Sequence, residues 1–597
     1  MSTLKKLFYL LSGNERKKIG LLLLMILLMA FLDMIGVASI MPFIAVLSNP
    51  DVVETNSLMN TMFKASAFFG VETKKQFLFS LGILIFILLV TSLTFKAITT
   101  YAQLRFTQMR EYSIGKRLIE GYLNQPYSWF LDRNSAELGK SILSEVTSVV
   151  ANGIKPMMTL ISQTMIVFSL LILLIFIDPI LAFSTIITIS VAYLILYSFV
   201  RKYLKQIGLE SVKADKLRFT YLNEAFGASK EIKLAGLEQF YINRFSKPAQ
   251  SFAKIKSLAQ IISQIPRFAL EAIAFGGMLL VTLYLMKNIG TFEKILSVIA
   301  VYAFAGYRLM PALQQIYNSV TLLRFVGPAL NNVYNDIKNL EKEIDIKPSN
   351  KINFRNKINL NNINYSYPNM SQNVLKDITL EITANKKIGI IGSTGSGKTT
   401  LVDIILGLLN AQQGSLKVDD KIINNDNRRS WQKSIGYVPQ KIYLADDTIA
   451  ANIAFGTDVS KISTERVIRA AKIANLHDFI NGDLPLKYNT IVGERGVRLS
   501  GGQCQRIGIA RALYNNSKVL ILDEATSALD IKTEKNVMKA LQNMEKEMTI
   551  IMIAHRLSTI KDCDKIFYLE NGIIRAQGTY DFLIENNNEF KSFTVIH

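Results

Sequence analysis

The residues that could do chemistry are densest between positions 392 and 524. Gly392, Ser393, Thr394, Gly395, Ser396, Gly397, Lys398 and Thr399 spell GSTGSGKT, and Thr400 follows. Glycines at the first and sixth places let the backbone turn tightly. Successive N–H groups and the start of the next helix then surround phosphate oxygens, Lys398 meets the β- and γ-phosphates, and the Thr399 hydroxyl suits Mg²⁺. The flanks fit, because KIGII before the loop reads as a strand and TLVDIILGLL after it reads as a helix. A second apolar strand, VLILD, ends in Asp523 and is followed at once by Glu524. Asp523 suits the Mg²⁺ shell and Glu524 can polarise an attacking water, although a carboxylate after a buried strand can also cap a helix. The loop predicts nucleotide binding and leaves the nucleotide open.

Between these two groups lies LSGGQ, Leu499 to Gln503. With the phosphate loop before it and Asp523-Glu524 after it, the chain resembles an ATP-binding cassette domain. The family's other landmarks follow in order: Tyr367 in YSYP, Gln440 in VPQ, VGERG at 492–496, SALD at 527–530 and His555 in AHR. The resemblance implies ATP with Mg²⁺, the ion held by Thr399, Gln440 and Asp523, and Tyr367 stacked on adenine. It implies that Glu524 and His555 are catalytic. It also implies that Ser500, Gly501, Gly502 and Gln503, a second anion site at a helix start, complete the ATP site of a facing cassette. With one cassette per chain, the working form is expected to be a homodimer that hydrolyses at both sites.

The elements that must position this chemistry follow from the distribution of apolar residues. The chain has 597 residues, 50% of them hydrophobic, and almost all long apolar runs precede about residue 330. Spans of about 20 apolar residues are expected at 19–47, 77–104, 157–177, 180–200, 256–286 and 292–323. The first run is too long for a signal-peptide core and is expected to stay as a span. Lys5, Lys6, Arg16, Lys17, Lys18, Arg105, Arg110, Lys116, Arg117, Arg201, Lys202 and Lys205 mark cytoplasmic ends, which places the amino terminus and the soluble half inside. The expected division is a transmembrane domain over 1–338, a linker over 339–351 and a cassette over 352–597. Together with the cassette resemblance, this order resembles the exporter arrangement, which implies an all-α six-helix transmembrane domain of the type I ABC exporter kind followed by an α/β P-loop NTPase domain.

Two inside connections, 105–156 and 201–255, are long and charged, so their helices either run on to touch a soluble partner or form ordinary hairpins. Asn134 or Ser135 is suited to cap a new helix in the first. Outside, residues 55–69 carry apolar residues at helical spacing, for a helix at the outer leaflet or a packed loop helix. The formal charge of +21 favours cytoplasmic loops and anionic headgroups over nucleic acid, since no basic and aromatic nucleic-acid motif accompanies it. Cys504 and Cys563 are the two cysteines, and they ask for neither disulfide nor zinc.

Three cations stand inside expected spans. At 1.5 Å per residue, Arg308 lies about 24 Å from the outer start of its span, and Lys96 and Arg267 about 29 Å from theirs. They either snorkel to the inner headgroups, Arg267 pairing with Glu271, or line a site for an anionic headgroup. The stretches MPFIAVLS, IPRFALEAIAF and YRLMPAL resemble PglK-like flippases of lipid-linked oligosaccharides. That resemblance implies membrane lipids and a lipid-linked anionic substrate as partners, a role in protein glycosylation, and a bacterial cytoplasmic membrane. Export of drugs, peptides or simple lipids competes with it. A cassette exporter with a built-in peptidase is excluded, because no cysteine precedes Cys504. An ATP-gated channel or regulator fits poorly with an intact Glu524, His555 and LSGGQ.

Overall fold

The apolar runs form long helices whose ends are set by side-chain caps. In α1 (Gly13–Ala38) the Ser12 N–H donates to the Glu15 carboxylate at 2.8 Å, one arm of a capping box. In α2 (Lys74–Leu123) the Thr73 hydroxyl accepts the Gln76 N–H at 3.2 Å, and the Gln76 side chain accepts the Thr73 N–H at 3.1 Å. Next come α3 (Lys155–Ile177), α4 (Pro179–Gly227), α5 (Glu238–Asn288), α6 (Phe292–Phe325) and α7 (Gly327–Leu340). The structure, a computed structural model, describes residues 3–48, 50–68, 70–177, 179–288, 292–340, 352–368, 370, 372–525, 529–542, 548–554 and 557–596.

Helices α2, α4 and α5 hold 50, 49 and 51 residues, about 75 Å each, against a hydrocarbon core of about 30 Å. They therefore run well beyond any membrane. Among the described residues, Gly13–Leu47, Lys74–Leu123 and Ser135–Ile177 are long and apolar enough to cross one. The other three expected spans fall within α4, α5 and α6, where many side chains lie outside the described residues. The first apolar run is not one unbroken helix: α1 stops at Ala38 and a new helix starts at Ile40 (Ile40–Ser48). Pro42 fits this break, because it has no N–H to give and its ring crowds the carbonyl four residues earlier, that of Ala38, where α1 stops.

Two compact units result, one comprising Met1–Gln125 and Arg133–Glu343, the other Pro126–Asp132 and Ile344–His597. The expected cap is present, with Asn134 Oδ1 accepting the Ala136 N–H at 2.9 Å ahead of the helix Ser135–Lys140. Before α3 the chain passes through two π-helical turns, Ser141–Glu145 and Val150–Ile154. Helix α7 is tied down there: the Tyr122 hydroxyl donates to Asp336 at 2.7 Å, and Asn332 donates at 3.1 Å to Glu145, which also pairs with Lys140. It runs to Leu340, one residue beyond the expected start of the linker, and 341–351 lie outside the described residues. The segment expected outside is a helix, Ser57–Ala67. Met59 is buried, the Phe63 ring meets Phe77 edge-on at 5.3 Å, and Met62 stays exposed.

The second unit holds two sheets. Strands β1 (Lys357–Tyr365), β2 (Leu375–Thr383), β4 (Gln413–Val418) and β5 (Lys421–Ile422) form an antiparallel sheet in the order β2-β1-β4-β5. Strands β3 (Lys387–Ile391), β6 (Ile435–Val438), β7 (Val519–Asp523), β8 (Thr549–Ile553), β9 (Lys565–Glu570) and β10 (Ile573–Gly578) form the other, ordered β10-β9-β3-β8-β7-β6. All its pairs are parallel except β10 with β9. Strands β3, β7 and β8 are buried throughout, which is why they read as unbroken apolar runs. In this order β3 and β7 flank β8, so what leaves their carboxyl ends converges, as ligand sites do in parallel sheets.

Candidate functional site

The phosphate loop leaves β3 and enters α8 (Lys398–Ile405). Two of its glycines are obligatory. A Cβ on Gly392 would lie 2.0 Å from the Leu569 carbonyl oxygen, and Gly397 has φ +100° with the Val374 carbonyl oxygen 3.1 Å from where a Cβ would sit. The Lys398 ammonium donates to the carbonyls of Gly392 and Ser393, at 2.8 Å each. Burial lowers its pKa from the ordinary lysine value, against the pull of Glu524 and Asp523. The Ser396 hydroxyl is buried with no hydrogen-bond partner among the described residues. Thr399 is exposed, Thr394 and Gly395 line the open side of the loop, and the Thr400 hydroxyl shares a 2.9 Å hydrogen bond with the Tyr367 hydroxyl.

Across β8, Asp523 ends β7 at 5% exposure and accepts from the Tyr437 hydroxyl at 3.4 Å. Glu524 turns sharply off the strand at φ +51°, and its N–H donates to the Ile553 carbonyl at 3.1 Å. Gln440 Nε2 then donates to the Glu524 carboxylate at 2.6 Å, so two residues 84 positions apart meet. His555 follows β8 but lies outside the described residues, as do Ser527 and Ala528 of SALD. These groups fit ATP with Mg²⁺: a loop of donors, a lysine whose present acceptors phosphate oxygens can replace, and the exposed Thr399 hydroxyl with the Asp523 carboxylate for the ion. Two contributors were not foreseen. Tyr437 is one, and Asp403 on α8, 8% exposed, is the other, its carboxyl pushed up to about 6 by burial and by Asp523.

Ser500 caps α9 (Gly501–Tyr514): its hydroxyl accepts the Gln503 N–H at 3.3 Å, and its own N–H donates to Gln503 at 2.8 Å. Gly501 and Gly502 thus start a helix, with its first N–H groups presented outward. Among the described residues no hydrogen bond links this segment to residues 392–400.

Two of the three cations share a contact that neither sequence expectation included. Lys96 on α2 and Arg308 on α6 meet at Asp33 on α1, with Lys96 Nζ 3.3 Å from Oδ2 and Arg308 Nη1 3.0 Å from Oδ1. Ser92 donates to the same Oδ1 at 2.9 Å. Asp33 is 2% exposed. Sequence reading missed it, although a lone carboxylate in the first apolar run was the available signal. Arg267 lies on α5, and its side chain is outside the described residues.

Residues 18–311 match the family model described as the ABC transporter transmembrane region, and residues 375–527 the model described as ABC transporter. An ATP-dependent lipid A-core flippase from Saccharophagus degradans is 31% identical over 482 residues, 80% of each chain. The flippase of the same name from Bordetella avium is 29% identical over 489 residues, 79% of each. A putative multidrug export ATP-binding/permease protein from Bacillus subtilis is 37% identical over 304 residues, and that match spans about half of its length, 52%. Among solved structures, a bacterial Atm1-family ABC exporter with ATP bound superposes with a TM-score of 0.77 at 22% identity, covering 97% of this chain and 98% of that one. At that identity it speaks for the fold alone.

Proposed function

The chain belongs to the ABC transporter family, as an exporter half-transporter whose ATP hydrolysis is coupled to transport, and from that premise we propose that it flips a lipid-linked oligosaccharide by its pyrophosphate headgroup. The observation that carries this reading is the meeting of Lys96 and Arg308, from two helices, at one buried carboxylate. Ionisable groups among apolar spans are costly and tend to mark a substrate path, and a guanidinium suits phosphate oxygens. Arg267 is the third cation of the proposed site. The names of the lipid A-core flippases support a lipid as cargo.

In this reading the protein is a homodimer with six spans per chain, in a bacterial cytoplasmic membrane, with the amino terminus and cassette in the cytoplasm. Tyr367 stacks on adenine and residues 392–400 bind the phosphates. Ser500 to Gln503 complete the partner's site. Thr399, Gln440 and Asp523 would hold Mg²⁺, which when bound neutralises phosphate charge. Glu524, oriented by Gln440, positions the attacking water and takes its proton, and His555 holds the γ-phosphate end of the site.

The test is reconstitution in proteoliposomes with labelled lipid-linked sugar, a drug and a plain phospholipid. ATP-dependent movement of the lipid-linked sugar alone is expected. Movement of the drug without the sugar would replace this reading with drug export, which the Bacillus relative's name favours.

A further inference from the structure

Asp33 opposes anion recognition at the cation site, and its placement gives it a role of its own. Ser92 and Lys96 stand one turn apart on α2, so both reach the same carboxylate. Along α1, Met29, Ala30 and Val37, with Ala305 and Leu309 on either side of Arg308, belong to one apolar cluster. Charge–charge contacts strengthen in such surroundings. Lys96 and Arg308 would repel each other there without the carboxylate. With it, the trio keeps one positive charge in excess. The side chains of Lys96 and Arg308 remain 35% and 19% exposed, while that of Asp33 is 1% exposed. A headgroup can therefore reach the cations without reaching Asp33.

We infer that Asp33 is an internal counter-ion that competes with the cargo: a phosphate or pyrophosphate ester on a lipid takes N–H donors of Lys96 and Arg308 from Asp33 on arrival, and Asp33 takes them back on release. The inference rests on the anionic-lipid reading above. It accounts for both halves of a transport step, since a bare pair of cations in apolar surroundings would hold a phosphate too tightly to let it go. A competitor also differs in sign from a scaffold. Removing the charge of a scaffold loosens the cations and weakens binding, whereas removing the charge of a competitor strengthens binding and slows release.

The test uses the full-length protein in phosphatidylcholine nanodiscs, titrated with a polyprenyl pyrophosphate and, separately, with phosphatidic acid. Retention and release of the labelled lipid are measured. Asp33→Asn should bind at about tenfold lower concentration and release more slowly by a similar factor, the scale of one charged hydrogen bond. Ser92→Ala should shift binding the other way, about two- to threefold, because a carboxylate without that donor holds the cations more tightly. Unchanged or weaker binding by Asp33→Asn overturns the inference. If that variant does not fold, unchanged or tighter binding by Ser92→Ala does the same. If phosphatidic acid shows these shifts while the pyrophosphate lipid binds neither parent nor variant, Asp33 keeps its role and the pyrophosphate reading falls. If the parent and both variants retain neither lipid, both fall.

Discussion

Glu524 sits in a left-handed backbone conformation that bulky side chains seldom adopt, at φ +51°, and its carboxylate is held by Gln440. A water-orienting carboxylate is expected to be dispensable for holding nucleotide. Glu524→Gln should retain ATP binding while phosphate release falls by about 10²–10⁴-fold; undiminished release would remove Glu524 from that role. Lys398→Ala should instead weaken ATP retention itself, about tenfold or more, since its ammonium is the charged donor inside the loop. Asp403 adds a pH dependence. Its carboxyl stands at about 6 in the fold against an ordinary 3.8, so the folded chain binds the proton more tightly. Stability from this group is full below about pH 4 and is lost as pH rises through 6. Melting temperatures from pH 4 to 8 should fall less steeply for Asp403→Asn than for the parent. The phosphate loop and Asp523-Glu524 were legible because each is a run of adjacent residues. Asp33 was not, since its partners lie 63 and 275 positions away and depth counted from helix ends identifies cations but not what they face.

Among the elements, the turn from β3 into α8 tolerates least. Gly392→Ala would press a methyl to 2.0 Å from the Leu569 carbonyl oxygen, which is backbone and cannot swing aside. The loop must move, so ATP retention should drop at least about tenfold while the membrane helices still assemble; normal retention would show that the loop can adapt. Strands β3 and β7 were legible as short apolar runs, and the cap at Asn134 as a polar residue opening a helix. The order of the strands was not legible, because parallel pairing joins segments 30 to 177 residues apart and leaves no local signature. The break at Ser39 was missed although Pro42 announces it. The two π-helical turns before α3 were also missed, since an extra residue in a helical turn barely alters apolar periodicity.

For the whole molecule, the proposed homodimer makes a composite-site prediction. Ser500 is exposed at the start of α9, and Ser500→Arg costs the helix only its cap, about 1 kcal/mol. A mixed dimer with Lys398→Ala in one chain and Ser500→Arg in the other should therefore keep one intact site of two. ATP hydrolysis should then exceed that of either doubly mutated homodimer; equal rates would mean that each chain builds its site alone. The acid on α1 also bears on how the chain enters the membrane. Asp33 is made 63 residues before Lys96 and 275 before Arg308. At about 5–20 residues per second, Lys96 follows it after roughly 3–13 s and Arg308 after roughly 14–55 s. During synthesis the first span thus carries a carboxylate whose neutralising partners do not yet exist, and the first of them comes beside it only with the second span.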